Sequence, residues 1–289
     1  MELSETEIED ELLKLLEKSV ELSCGNEKKI GVVFSAGLDS TVIAFLAQRF
    51  SDVKAYAVGT ENSEDIEGVR KLKDFAEFDI KTIGIDIEKV RKILPVVLQM
   101  IDKKDDPIQV SCAIPIYLAS KEATKSNLAI MLSGQGSDEL FGGYNRYLVQ
   151  TNDYRKLSAV LEDDVKNAYA DNLNRDSVIC AANGIELRFP FMDKELVKFA
   201  LEIPAELKVK EVEDKEFSCI DIIDGKKFIR KYVLRKIAKK IGIPEVVINR
   251  PKKALQYGSH SMKILERITR EEGFKSDVRS YIEALAKNL

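Results

Sequence analysis

"GVVFSAGLDSTVIAF", residues 31–45, passes from an apolar run through Ser35, Ala36 and Gly37 to Asp39 and Ser40, then back into apolar residues. That order is a strand, a tight turn and the start of a helix. Two interpretations are open. In one, Asp39 or Ser40 caps the helix and the loop is a plain joint. In the other, the small residues let backbone N–H groups turn inward and, with the helix N-terminus, cradle phosphate. Asp39 is the odd member of such a cradle. A carboxylate repels phosphate unless a cation such as Mg2+ lies between them.

Working outward, "KIGVVF" (29–34), "VKAYAV" (53–58), "IKTIGIDI" (80–87) and "LAIML" (128–132) have strand length and are largely apolar. Between them, 40–50, 64–77, 88–102 and 113–125 read as helices, and Ser4 with Glu7 forms a capping box ahead of Ile8, Leu12, Leu15 and Leu16. Strands of this kind alternating with helices predict an α/β fold, a parallel sheet with helices on both faces. Ligand sites then lie beyond the strands' carboxyl ends. After about residue 150 strand signals fade and helical periodicity takes over. The expected division is an α/β nucleotide-binding region over 1–150 and a helical substrate or closure region over 151–289, with no Gly/Ser/Pro-rich linker between them. "KKFIRKYVLRKIAKK" (226–240) reads as one basic helix face.

The second informative loop is "MLSGQGSDELFGGYNRY" (131–147). It follows the fourth expected strand and again offers small residues, Ser133, Gly134, Gly136 and Ser137, then the acids Asp138 and Glu139. Two strand-end loops that each carry an Asp can share one Mg2+, which takes one or two protein carboxylates and completes its shell with phosphate and water. "FSAGLDS" resembles the SGGxDS loop of the ATP pyrophosphatases, and "SGQGSDELFGGY" resembles the second signature of their asparagine synthetase branch. "ANGIELRFPFMDKELVKFAL" (182–201), with Glu186, Arg188, Pro190, Phe191 and Asp193, is similar to that branch's helical segment. "NRPKKALQYGS" (249–259) resembles its late lysine-bearing loop. The matches fall in the family's order and span nearly the whole chain.

The resemblance implies an adenine nucleotide alpha-hydrolase-like fold and an ATP-dependent, amide-forming ligase. A carboxylate, aspartate as the first choice, is adenylated with loss of pyrophosphate, and a nitrogen nucleophile then displaces AMP. It places the pyrophosphate portion of ATP on Ser35, Gly37, Leu38, Asp39 and Ser40, and Mg2+ on Asp39 and Asp138. It puts adenine near Phe34 and Val58, with Ser133, Gly134 and Gly136 on the ribose-phosphate side. Lys252 would stabilise the transferring charge, and Lys227 would be a second phosphate contact. The helical half would keep water from the intermediate.

The chain departs from the family pattern at three places. Ala36 replaces the first Gly of SGG, which a turn without strongly positive φ tolerates. Gln135 replaces the Glu of SGEGSDE, and an amide orients groups but is no base. Either Glu139 or Asp171 takes that role, the nucleophile differs, or the second step is weak. Residue 2 is Glu2 where a glutaminase would begin with Cys, so the expectation is free ammonia, another amine, or nitrogen from a separate glutaminase subunit. The alternatives are a related enzyme acting on another carboxylate, as in a β-lactam-type ring closure, and a nucleotide-binding protein that has lost turnover.

Composition narrows the field. With 45 Lys and Arg against 49 Asp and Glu in 289 residues, the net charge of −4 gives no pull toward nucleic acid or membrane. No apolar run approaches the ~20 residues needed to span a bilayer. The acidic N-terminus is unlike a secretory signal, and four scattered cysteines suit buried thiols in a cytoplasmic protein. Walker A and GxGxxG patterns are absent. The single histidine, His260, removes Ser-His-Asp and His-metal chemistry, and its polar neighbours place it on the surface.

Overall fold

A computed structural model describes residues 3–213, 216–287 and 289, so Met1 and Glu2 lie outside the described residues. Its centre is a five-stranded sheet of β1 (Lys29–Phe34), β2 (Asp52–Gly59), β3 (Asp79–Gly84), β4 (Ile130–Leu132) and β5 (Glu186–Arg188), ordered β3-β2-β1-β4-β5. All four pairings are parallel, with Phe34 opposite Ala57 and Val32 opposite Leu132.

Successive residues of β2 point to opposite faces. Ala55 and Ala57 join an apolar cluster with Leu12, Leu16, Val42 and Ile237. Tyr56 and Val58 join a second cluster with Leu94, Ile114, Leu265 and Ile282. Helices therefore cover both faces, and each large core takes residues from either side of residue 150. The N-terminal helix Glu5–Cys24 starts at the expected capping box: Ser4 N donates to Glu7 Oε2 at 2.8 Å, and Glu7 N donates to Ser4 Oγ.

The second half holds four strands that the sequence reading missed. The segment expected to be helical over 182–201 instead contributes β5 to the sheet edge, then a 3-10 turn Pro190–Met192, before Asp193 caps the helix Lys194–Glu202. Arg188 donates to Ser23 O and Ser19 Oγ donates to Pro190 O, which binds this edge to the N-terminal helix. The other three, β6 (Val209–Glu211), β7 (Asp221–Ile223) and β8 (Lys226–Arg230), form an antiparallel sheet ordered β6-β8-β7. Residues 226–240 are thus not one helix. β8 runs to Arg230, Lys231 takes a left-handed φ of 56°, and the helix is Tyr232–Lys240.

Among the described residues, no helix is long and apolar enough to cross a membrane. All four cysteines are free and buried.

Candidate functional site

β1 and β4 are hydrogen-bonded neighbours, so the loops leaving their carboxyl ends lie side by side. After β1 the chain turns at Ala36 and enters the helix Leu38–Ala47 with Asp39 in its first turn. Ala36 stands at φ 52°, a left-handed value that the sequence reading did not expect. Side-chain hydroxyls hold the turn: Ser35 N donates to Ser40 Oγ, and Gly37 N donates to Ser35 Oγ. After β4, Gly136 at φ 91° opens the short helix Ser137–Phe141, which carries Asp138. The two loops touch at Gly134. A Cβ there would lie 2.9 Å from Ser40 N, so only glycine permits the approach.

Asp39 and Asp138 are joined through two lysines. Lys231 Nζ lies 2.6 Å from Asp39 Oδ1 and 2.6 Å from Asp138 Oδ1. Lys252 Nζ lies 2.6 Å from Asp138 Oδ2 and 3.8 Å from Asp39 Oδ2. Ser137 Oγ donates to Asp39 Oδ1 at 2.9 Å. Burial disfavours the Asp138 anion, yet the two ammoniums outweigh it and hold its carboxyl well below the usual range. Burial likewise opposes the Lys252 cation, and Asp138 and Asp39 overcome this and raise its pKa. The side chain of Lys231 is 2% exposed and that of Lys252 is 23% exposed.

Lys231 reaches the pair because its backbone is bent back there. Arg230 Nη1 donates to Gly143 O at 2.6 Å and Arg235 Nε donates to Arg230 O, fixing the break between β8 and the following helix. Gly143 has no room for a Cβ, since the Asp138 carboxylate and Lys231 Cε fill that space. The loop carrying Lys252 is tied down beside it. Arg250 donates to Ser35 O and pairs with Asp65 at 2.8 Å, and Lys253 pairs with Glu64. Burial pushes the Asp65 carboxyl up to about 6, against the pull of Arg250.

Of the expected site residues, Phe34, Ser35, Asp39, Ser40, Ser133, Gly134, Gln135, Asp138 and Lys252 line one cleft of about 420 Å3. Gly37 and Leu38 line a smaller recess that adjoins it through Asp39 and Lys252. Three do not gather there. Val58 is packed in the second core, Gly136 turns against Met192, and Lys227 pairs with Ile222 within the small sheet. Gln135 Nε2 donates to the fully buried Asp176 at 3.1 Å, and Arg175 holds Asp176 at 2.7 Å. Glu139 is buried and accepts from Tyr144 OH at 2.6 Å; burial and then Asp138 raise its pKa. The Asp171 side chain lies outside the described residues. His260 is not a surface residue: it is 14% exposed and wedged between Thr60 at 2.8 Å and Glu64 at 3.0 Å.

Lys231, Arg250 and Arg175 were missed as site residues. Arg250 adjoins the lysine loop already singled out. Lys231 had a usable signal, because "IIDGKKFI" carries a hairpin Asp-Gly, and Asp224 and Gly225 do take positive φ. A strand ending near Arg230 would have placed Lys231 at a joint.

A strand-end cleft with a carboxylate pair clamped by two ammoniums, on a parallel α/β sheet, is the architecture that these observations define. The asparagine synthase family model matches residues 11–160 and 149–284, and the chain belongs to that family. An inferred glutamine-hydrolyzing asparagine synthetase 1 of Methanocaldococcus jannaschii is 35% identical, covering 100% of this chain and 56% of that protein. The glutamine-hydrolyzing asparagine synthetase of Homo sapiens is 27% identical over 89% of this chain and 44% of its own length. The chain thus spans about half the length of these curated relatives. An NMN synthetase structure from Francisella tularensis overlaps 99% of this chain and 94% of that one, at 12% identity and a TM-score of 0.44.

Proposed function

We propose that this chain is an ATP-dependent, AMP-forming carbon–nitrogen ligase that adenylates a small carboxylate, aspartate as the first candidate, and passes the acyl group to ammonia or another amine. The observation that carries this is the meeting of Asp39 and Asp138, ninety-nine positions apart by their numbers, across the ends of neighbouring strands with Lys231 and Lys252 on both. Such a site balances its own charge and is built to exchange ions with a polyphosphate.

The donor set fits Mg2+, since two hard carboxylate oxygens face one place and this ion takes one or two of them. Asp39 and Asp138 would hold it, and its charge would neutralise phosphate oxygens. In this scheme the first-turn N–H groups of the helix Leu38–Ala47 receive pyrophosphate oxygens. Phe34 borders the cleft with its ring packed edge-on against Phe78, so it offers no stacking face, and Lys252 stabilises charge that builds as pyrophosphate leaves.

The substrate carboxylate attacks the α-phosphorus and expels pyrophosphate; the amine then attacks the acyl carbon and expels AMP. The amine must lose a proton in that second step. Gln135 has none of the needed basicity and is held by Asp176, so the role falls to Glu139, reached from the cleft through Tyr144. A separate glutaminase subunit is one source of the amine, and four buried free thiols suit a cytoplasmic setting.

The test is a panel of carboxylic acids with Mg2+, ATP and ammonium, scored for pyrophosphate and AMP. Aspartate should give both products. Asp39→Ala and Asp138→Ala should each abolish pyrophosphate release while circular dichroism stays native. Full activity in either variant would refute the assignment of the site.

A further inference from the structure

Lys231 occupies the place between two carboxylates that a cation would take. Its ammonium is 2.6 Å from Asp39 and 2.6 Å from Asp138, and it also donates to Ser137 Oγ at 3.3 Å. The side chain is 2% exposed, so this is no loose surface pair. It is fixed at its base by the left-handed backbone and at its flanks by Arg230 and Arg235.

We propose that Lys231 is an internal counter-ion that keeps the divalent-cation position closed until a triphosphate enters. The inference rests on the nucleotide reading above and adds an order of binding to it. Two carboxylates facing Lys231 and Lys252 sum to zero, and Arg235 lines the adjoining recess with a further positive charge. A divalent ion entering alone would meet a neutral-to-positive, buried site and would have to displace a charge-assisted contact. A triphosphate reverses that balance. It offers Lys231 and Lys252 new acceptors and leaves the two carboxylates free for the metal. Nucleotide-free protein therefore ignores divalent ions, and the metal arrives with the nucleotide or after it.

Equilibrium dialysis against Mn2+ tests this without any turnover. Wild-type protein alone should retain almost no manganese, and wild type with α,β-methylene-ATP should retain close to one ion per chain. Lys231→Met and Lys231→Gln, each without nucleotide, should bind Mn2+ about tenfold more tightly than wild type or better. Stoichiometric retention by nucleotide-free wild type would overturn the counter-ion role while leaving the nucleotide site standing. Folded variants that bind no better than wild type would overturn it too. If both variants lose native circular dichroism, the two wild-type arms still decide. Failure of the analogue itself to bind would instead overturn the nucleotide reading, and this inference with it.

Discussion

Replacing Lys231 by Met removes the bridge between Asp39 and Asp138 and leaves the buried Asp138 and the half-buried Asp39 facing Lys252 alone. Breaking a buried pair by deleting one partner costs about 3–5 kcal/mol, because the remaining charge is uncompensated. Lys252→Met removes contacts to the same two acids from a side chain that is 23% exposed, against 2% for Lys231. Solvent screens that loss, which should fall to about 1–2 kcal/mol. Urea unfolding followed by circular dichroism measures both, with midpoints compared at a common slope.

The deficit of Lys231→Met should also depend on pH. In wild type, Asp138 titrates below its reference value of 3.8, so its contribution is present above that value and lost as pH falls through the lower folded value. In the variant, like charge pushes one of the two carboxyls up, so the folded chain takes up protons that the unfolded chain does not. Its deficit should therefore shrink as pH is lowered from about 7 to about 4. Equal costs for the two lysine variants, or a deficit that grows on acidification, would refute the clamp as described.

Three further outcomes follow from the same geometry. Lys252→Met should lower kcat for pyrophosphate release by about 10²–10³ with little change in KM for ATP, and a KM effect alone would show that it only binds. Gly134→Ala forces a Cβ to within 2.9 Å of Ser40 N, so calorimetry should record loss of ATP binding in a folded protein, and wild-type affinity would show that the loops are not in tight contact. Asp65 holds Arg250, and through it the Ser35 carbonyl, most strongly when ionised, which its value of about 6 places at higher pH. Activity should fall as pH drops through that value, and Asp65→Asn should remove the limb; an unchanged limb would exclude Asp65 as its source.

The first half of the fold was legible because its strands are apolar runs bounded by helices of ordinary length, and β1 falls where "KIGVVF" placed it. The two aspartate loops were legible for a related reason: small residues next to an acid at a strand end are uneconomical unless something must approach. The later strands were not. Three of the four are only three residues long, too short for alternation to show, and β5 hides between a helix and a Pro-Phe turn. Lys231 was lost because eight basic residues in fifteen look like one amphipathic helix when the break is at a lysine rather than Gly or Pro. His260 was misjudged from its polar neighbours, although Ser259 and Ser261 on either side of it are themselves buried. The left-handed turn at Ala36 was marked only by the Gly that the resembled loop carries there, since Ala itself gives no such signal.

Leu196, Ile229 and Ile237 share one apolar mass with Ile30 and Val32, while Leu265 and Ile282 share the other with Tyr56 and Met131. Prising the later half of the chain off the sheet would wet both masses at once, at roughly 25 cal/mol for each Å2 of apolar surface. Separating the later half from the sheet therefore carries a large apolar cost. The short stretch from Arg250 to Lys253, by contrast, is held by charged side chains, Arg250 to Asp65, Lys252 to Asp138 and Lys253 to Glu64.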